Sequence, residues 1–237
     1  MVQAGDPLLA LPGGNAGSAA SRPRWRPSFA LVGVAVLANG VALLFHILRA
    51  APLPAALAAA WAVGLLAIVG VIARSEPRVR DELLRLGTIG IAAGLVSTVA
   101  YDASKALLSN LDSAPWNPFD ALRIFGEALV GAGWPDPVIR AVGLGFHASN
   151  GATFGLAFAL LFGLWSSRHA GLAVVAGVAW GLCLETFQLA LYPGWMNIKF
   201  LDEFRQVSFG GHLVYGACVG LIVRAGIRRA GIGGDAT

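Results

Sequence analysis

The sequence predicts an all-α bundle of six membrane-spanning helices, and three observations carry that prediction. Of 237 residues, 57% are hydrophobic and only 13% are charged, against roughly 45–50% and about 25% in soluble domains. The apolar residues come in long unbroken blocks, with a mean hydropathy of +0.70, a pattern that excludes disorder, collagen and coiled coil. Six of these blocks reach the roughly 20 residues that cross a bilayer as a helix. Blocks this long satisfy their backbone in lipid only as helices.

Residues 1–27 are rich in Gly, Pro, Ala and Ser and read as a disordered cytoplasmic tail. The first apolar block is too long, and starts too late, for the core of a signal peptide. Spans are expected at 29–48, 53–73, 86–108, 141–165, 170–192 and 208–227, giving a membrane domain over 28–228 and a cytoplasmic tail over 229–237. With six spans both termini share a side. That side carries 11 of the 17 basic residues, among them Arg22, Arg24, Arg26, Arg74, Arg78, Arg80, Arg85, Arg168, Arg224, Arg228 and Arg229. The positive-inside rule then puts both termini in the cytoplasm of a bacterial inner-membrane protein. The same arginines account for a pI near 9.6 without nucleic-acid binding.

Both long connections face outward. In 109–140, Asp120 can cap a helix on which Leu122, Phe125 and Leu129 recur at helical spacing, so a short interfacial helix is expected between spans three and four. Trp116, Trp134, Tyr192 and Trp195 flank the outer connections as interfacial aromatics do. The second connection, 193–207, carries Lys199 and reads as a loop in which Asp202, Glu203 and Arg205 form a solvated charge cluster. Cys183 and Cys218 stand alone in apolar blocks and read as small buried hydrophobes.

A pattern repeats within the chain. His147-Ala-Ser-Asn150-Gly151-Ala-Thr-Phe-Gly155 and His212-Leu-Val-Tyr215-Gly216-Ala-Cys-Val-Gly220 both read H-x-x-polar-G-x-x-x-G, in the parallel spans four and six. Span three has Gly90-x-x-x-Gly94 without the histidine. Small residues four apart let helices approach closely, which gives the glycines a packing role. On these motifs, segment 87–226 resembles a group of small uncharacterised prokaryotic multi-pass membrane proteins, and more distantly the YagU-like inner-membrane proteins. The resemblance implies a helical membrane fold and no particular reaction. Glu185-x-x-Gln188 followed by Asp202 is similar to a stretch of VanZ-type membrane proteins, whose remaining pattern is missing here.

Depth along each span gathers the ionisable residues into one layer. At about 1.5 Å per residue, Asp102 and His147 lie roughly 9 Å from the outer ends of spans three and four, Glu185 about 10 Å and His212 about 6 Å from those of spans five and six. Lys105, Asn150, Gln188 and Tyr215 are each three residues from one of these groups and share its helix face. His46 sits near the outer end of span one. Asp102 and Lys105 can neutralise each other at i,i+3, whereas Glu185 has no basic residue in its own span. Ionisable groups in hydrocarbon mark functional sites by default, so a polar pocket in the outer leaflet is expected.

That pocket suits a bound metal, a haem, or a small or lipid-like ligand, with catalysis an open question. Two histidines and a carboxylate suit zinc or non-haem iron, with His147, His212 and Glu185 as ligands. A haem held by His147 and His212 is a variant. Metal-free acid–base chemistry with Glu185 or Asp102 as the acid is another. Transport of protons or a small solute is an alternative, weakened by the lack of polar residues toward the inner leaflet. A third reading is an accessory subunit that docks on a membrane-protein partner or on a second copy of itself. No phosphate-binding G-x-x-x-x-G-K-[ST] loop and no G-x-S-x-G elbow is present.

Overall fold

The computed structural model describes residues 26–111, 116–187 and 193–232. Among them every regular element is a helix. In chain order these are α1 (Pro27–Ala35), α2 (Ala38–Ile47), α3 (Leu53–Arg74), α4 (Pro77–Ser109), α5 (Asp120–Val130), α6 (Asp136–Phe158), α7 (Leu164–Ser166), α8 (Ala170–Glu185) and α9 (Leu201–Arg229). A π-helical segment, Ala159–Gly163, joins α6 to α7, so the stretch Asp136–Ser166 is helical throughout. The remaining part of each predicted terminal tail, and Tyr192, lie outside the described residues.

Among the described residues, four helices are long and apolar enough to cross a membrane: α3, α4, the α6–α7 rod and α9. A fifth span results if α1 and α2 count as one. The predicted 29–48 span is therefore two short helices bent by 44°. At the bend, Leu37 N–H donates to the Val34 carbonyl at 3.1 Å, a step of three residues in place of four. The following turn is pinned by buried Asn39, which donates to Ser149 Oγ at 2.9 Å and accepts from Trp61 Nε1 at 2.7 Å. Of the predicted 170–192 span, α8 takes up Ala170–Glu185 as a 16-residue apolar helix, and residues 188–192 lie outside the described residues.

Two further expectations are corrected. Residues 201–207 are the first two turns of α9, not loop. Asp202 and Glu203 occupy its first turn, and Arg228 and Arg229 its last, each sign at the end the helix dipole favours. Cys183 is exposed and Cys218 half-buried, so neither is a core residue.

Two apolar clusters organise the molecule. The larger fills the end where the arginines gather, with Leu86, Phe158, Val219 and Val223 each essentially inaccessible. The smaller joins α2, the start of α3 and α5 through Leu43, Leu53 and Phe125 at the opposite end. The short helix expected between spans three and four is α5. It lies along α6 and turns Ala121 and Phe125 inward, while Arg123, Glu127, Asp136 and Arg140 form an exposed ion-pair chain.

Candidate functional site

Glycines set where the site forms. α6 lays Gly151 and Gly155 on Gly94 and Gly90 of α4, and α9 lays Gly216 and Gly220 on Gly177 and Ala173 of α8. A Cβ on Gly94 would strike the Gly151 carbonyl, and one on Gly177 the Gly216 carbonyl. The backbones touch at these points, and only hydrogen fits. Both pairs are antiparallel. Each histidine precedes its contact glycine by four residues, and each carboxylate follows the partner's contact glycine by eight, Gly94 to Asp102 and Gly177 to Glu185. The two crossings therefore deliver one carboxylate to each histidine. The repeated H-x-x-polar-G-x-x-x-G motif is half of a larger repeat, a helix hairpin whose other half carries the acid.

His147 Nε2 lies 3.0 Å from Asp102 Oδ1, with the two side chains 19% and 27% exposed. His212 Nδ1 lies 2.7 Å from Glu185 Oε2 and 3.0 Å from the Ser208 carbonyl, and this pair is deeply buried. The carboxylate and the carbonyl are acceptors, and Ser208 Oγ, 3.4 Å from Nδ1, has its proton on Glu185, so Nδ1 carries the proton. Ser208 Oγ donates to the same Glu185 oxygen at 2.9 Å. With the serine proton committed, Tyr101 donates to Ser208 Oγ across 3.2 Å. The result is a directed chain from Tyr101 through Ser208 to Glu185, with His212 on the other side of the carboxylate. The Tyr101 ring also contacts both histidines, 5.6 Å from His147 and 4.8 Å from His212 between centroids.

These groups surround a cavity of about 50 Å³. Asp102, Lys105, His147, Asn150, His212 and Tyr215 line it, and Phe119 and Phe125 of the α5 region cover it. Glu185 stands behind His212 rather than on the wall. His212 Nε2 has no protein partner among the described residues and belongs to a side chain that faces the cavity. Tyr215 donates to the Gly151 carbonyl at 3.1 Å and so ties the two hairpins together. Among the described residues, buried Asn150 finds no donor for its Oδ1.

Asp102, His147, Glu185, His212, Lys105, Asn150 and Tyr215 are thus brought to one place. His46 is not: it packs edge-on to Trp195, 6.2 Å between centroids, away from the cavity. Gln188 lies outside the described residues. The expected Asp102–Lys105 ion pair does not form, because Asp102 turns to His147. The Lys105 ammonium sits instead over the rings of Phe204, Tyr101 and Phe119, at 4.4, 5.3 and 5.9 Å. Three site residues escape the sequence reading: Tyr101, Ser208 and Phe204. Tyr101 adjoins Asp102, and Ser208 is one turn before His212, so periodicity alone could have flagged the serine.

The donor geometry does not fit the metal and haem expectations. Among the described residues no three His, Cys, Asp or Glu side chains converge as a metal-holding group. His147, His212 and Glu185 are not gathered as one ligand set, since His147 pairs with Asp102 and His212 with Glu185. A cavity of about 50 Å³ has no room for a porphyrin held by the two histidines. Comparisons with protein-family models, curated proteins and solved structures gave no match.

Proposed function

We propose that the protein is a multi-pass membrane protein of the bacterial inner membrane, both termini cytoplasmic, whose outer-leaflet pocket binds a small or lipid-like ligand and exchanges protons with it. The observation that carries this reading is the state of His212. Its Nδ1–H is held by Glu185 and the Ser208 carbonyl, its Nε2 has no partner among the described residues, and its ring borders the cavity. A carboxylate that fixes one imidazole nitrogen makes the other the base, whatever the fold around it. In this arrangement Glu185 and Asp102 hold and orient the histidines, and the histidines face the ligand.

Transport is less well supported. Beyond the cavity the bundle is closed by Leu86, Phe158, Val219 and Val223, none more than 2% exposed. A conducting path needs polar lining through that half.

The test is lipid analysis on protein held in nanodiscs of native lipid extract. Wild-type protein is expected to retain or convert a lipid-like molecule visible by mass spectrometry. His212→Ala and His147→Ala lose that signal, and His46→Ala, outside the site, keeps it. A wild-type protein that neither retains nor converts any such molecule overturns the proposal.

A further inference from the structure

At the end of the bundle away from the histidines, the arginines have two different surroundings. Around the turn between α3 and α4, basic residues alternate with Glu76, Asp81 and Glu82, and Glu82 pairs with both Arg26 and Arg78. Where α7 and α9 end and α8 begins, Arg168, Arg224 and Arg228 have no such company. No Asp or Glu stands between Asp136 and Glu185, or between Glu203 and Ile232. Among the described residues none of these three arginines makes an ion pair.

The helix registers bring the three to one level. α9 lays Gly216 on Gly177 and Gly220 on Ala173 of antiparallel α8. One further turn puts Arg224 level with His169, the residue before α8. On its other side α9 rests Val223 and Ile227 on Gly163. From there α7 runs parallel to α9, and Arg168 follows Gly163 by as many residues as Arg228 follows Val223. The charges therefore lie within little more than one turn of each other along the bundle axis, about 6 Å.

Arg224 is the residue that asks for a ligand. It is half-buried. Its Nε is enclosed without an acceptor among the described residues, and its terminal nitrogens, which stay open to the surroundings, make no bond to those residues either. A guanidinium cannot shed its proton as a lysine or histidine can, so its charge persists and calls for a counter-charge. Two general explanations of basic residues do not reach it. It stands inside α9 rather than in a connection, and it lies more than a turn before Arg229, where the helix dipole has lost its effect. Leu221, one turn outward on the same face of α9, is 43% exposed. Apolar surface thus begins directly beside the charges. Guanidinium forks match the paired oxygens of a phosphate.

We propose that Arg168, Arg224 and Arg228 hold the phosphate of an anionic phospholipid, with its acyl chains lying along α9 past Leu221. A zwitterionic phospholipid brings its own ammonium to the same corner and supplies no net counter-charge, so the lipid chosen is one with a net negative head. Basic residues gathered between helix ends at a membrane surface attract such lipids. The site is separate from the histidine pocket and depends neither on what that pocket binds nor on which leaflet the corner meets.

The experiment uses full-length, delipidated protein in a neutral detergent and native mass spectrometry. The probes are dioleoyl phosphatidylglycerol, dioleoyl phosphatidylcholine and inorganic phosphate. Phosphatidylglycerol is expected to bind at least about tenfold more tightly than either other probe. Arg168→Gln, Arg224→Gln and Arg228→Gln each weaken it about fivefold, the share of one basic residue at a membrane surface. The double variant Arg78→Gln with Arg80→Gln, which removes equal charge at the α3–α4 turn, leaves it within about twofold. His212→Ala also leaves it unchanged, because the pocket lies at the other end. Phosphatidylcholine binding as well as phosphatidylglycerol overturns the anion assignment, and inorganic phosphate doing so overturns the lipid assignment. Equal loss in the α3–α4 double variant means a diffuse basic surface and overturns the site. Loss in His212→Ala places the lipid in the outer pocket and overturns it too. If Arg224→Gln does not fold, Arg168→Gln and Arg228→Gln, both at exposed positions, carry the comparison.

Discussion

At the scale of single residues, the two histidines differ in what their loss leaves behind. His212→Ala strands Glu185, 8% exposed, with Ser208 its one remaining donor among the described residues. Breaking a buried pair by removing one partner costs about 3–5 kcal/mol, and thermal or denaturant unfolding in mild detergent should show a loss of that order. His147→Ala leaves Asp102 27% exposed and able to hydrate, so a loss nearer 1 kcal/mol is expected. Equal losses would contradict the sealed and open characters assigned to the pairs. Arg123→Gln, in the exposed chain with Glu127 and Asp136, should cost less than about 1 kcal/mol and matter less as salt is raised. The four ionisable partners were legible in the sequence because a charge inside an apolar span is conspicuous. Tyr101 and Ser208 were not, because a hydroxyl in a helix often bonds only its own preceding turn. The pairing of Lys105 was misread for a related reason: i,i+3 spacing makes contact with Asp102 possible but takes no account of competition from His147 across the helix interface.

At the scale of elements, the glycine contacts are the hinge of the architecture. Gly94→Leu and Gly216→Leu place a side chain where only hydrogen fits, and each is expected to lower stability by about 1–3 kcal/mol or more. Each should also part its own carboxylate from its histidine. Labelled-histidine NMR in nanodiscs is the measurement: Gly216→Leu is expected to move the His212 ring signals and leave those of His147 in place. Long spans were readable from hydropathy because that index reports where apolar residues are concentrated. It does not report where a helix begins, which is why 201–207 read as loop although Asp202 and Glu203 suit a helix start. The bend between α1 and α2 was hidden as well, since no proline or glycine stands at residues 34–38. The acid-bearing half of the repeat was legible in principle, as Gly94 to Asp102 and Gly177 to Glu185 share one spacing. It emerges only once antiparallel packing shows which glycines correspond.

At the scale of the whole molecule, the orientation inferred from the arginines is open to direct test. In a background lacking Cys183 and Cys218, Gly133→Cys in the exposed turn before α6 is expected to react with a membrane-impermeant maleimide added to intact cells. Glu76→Cys, exposed before α4, should react only after the cells are opened. The reverse pattern would place the pocket in the inner leaflet and overturn the assigned topology. The hairpin that recurs as α4–α6 and α8–α9 has a practical consequence for any such study. Because both copies run in the same direction and meet at Tyr101, a perturbation of detergent, lipid thickness or temperature reaches the two at the same level. Each copy then serves as the other's internal standard, and a response confined to one of them reports the chemistry of that copy rather than the condition of the bundle.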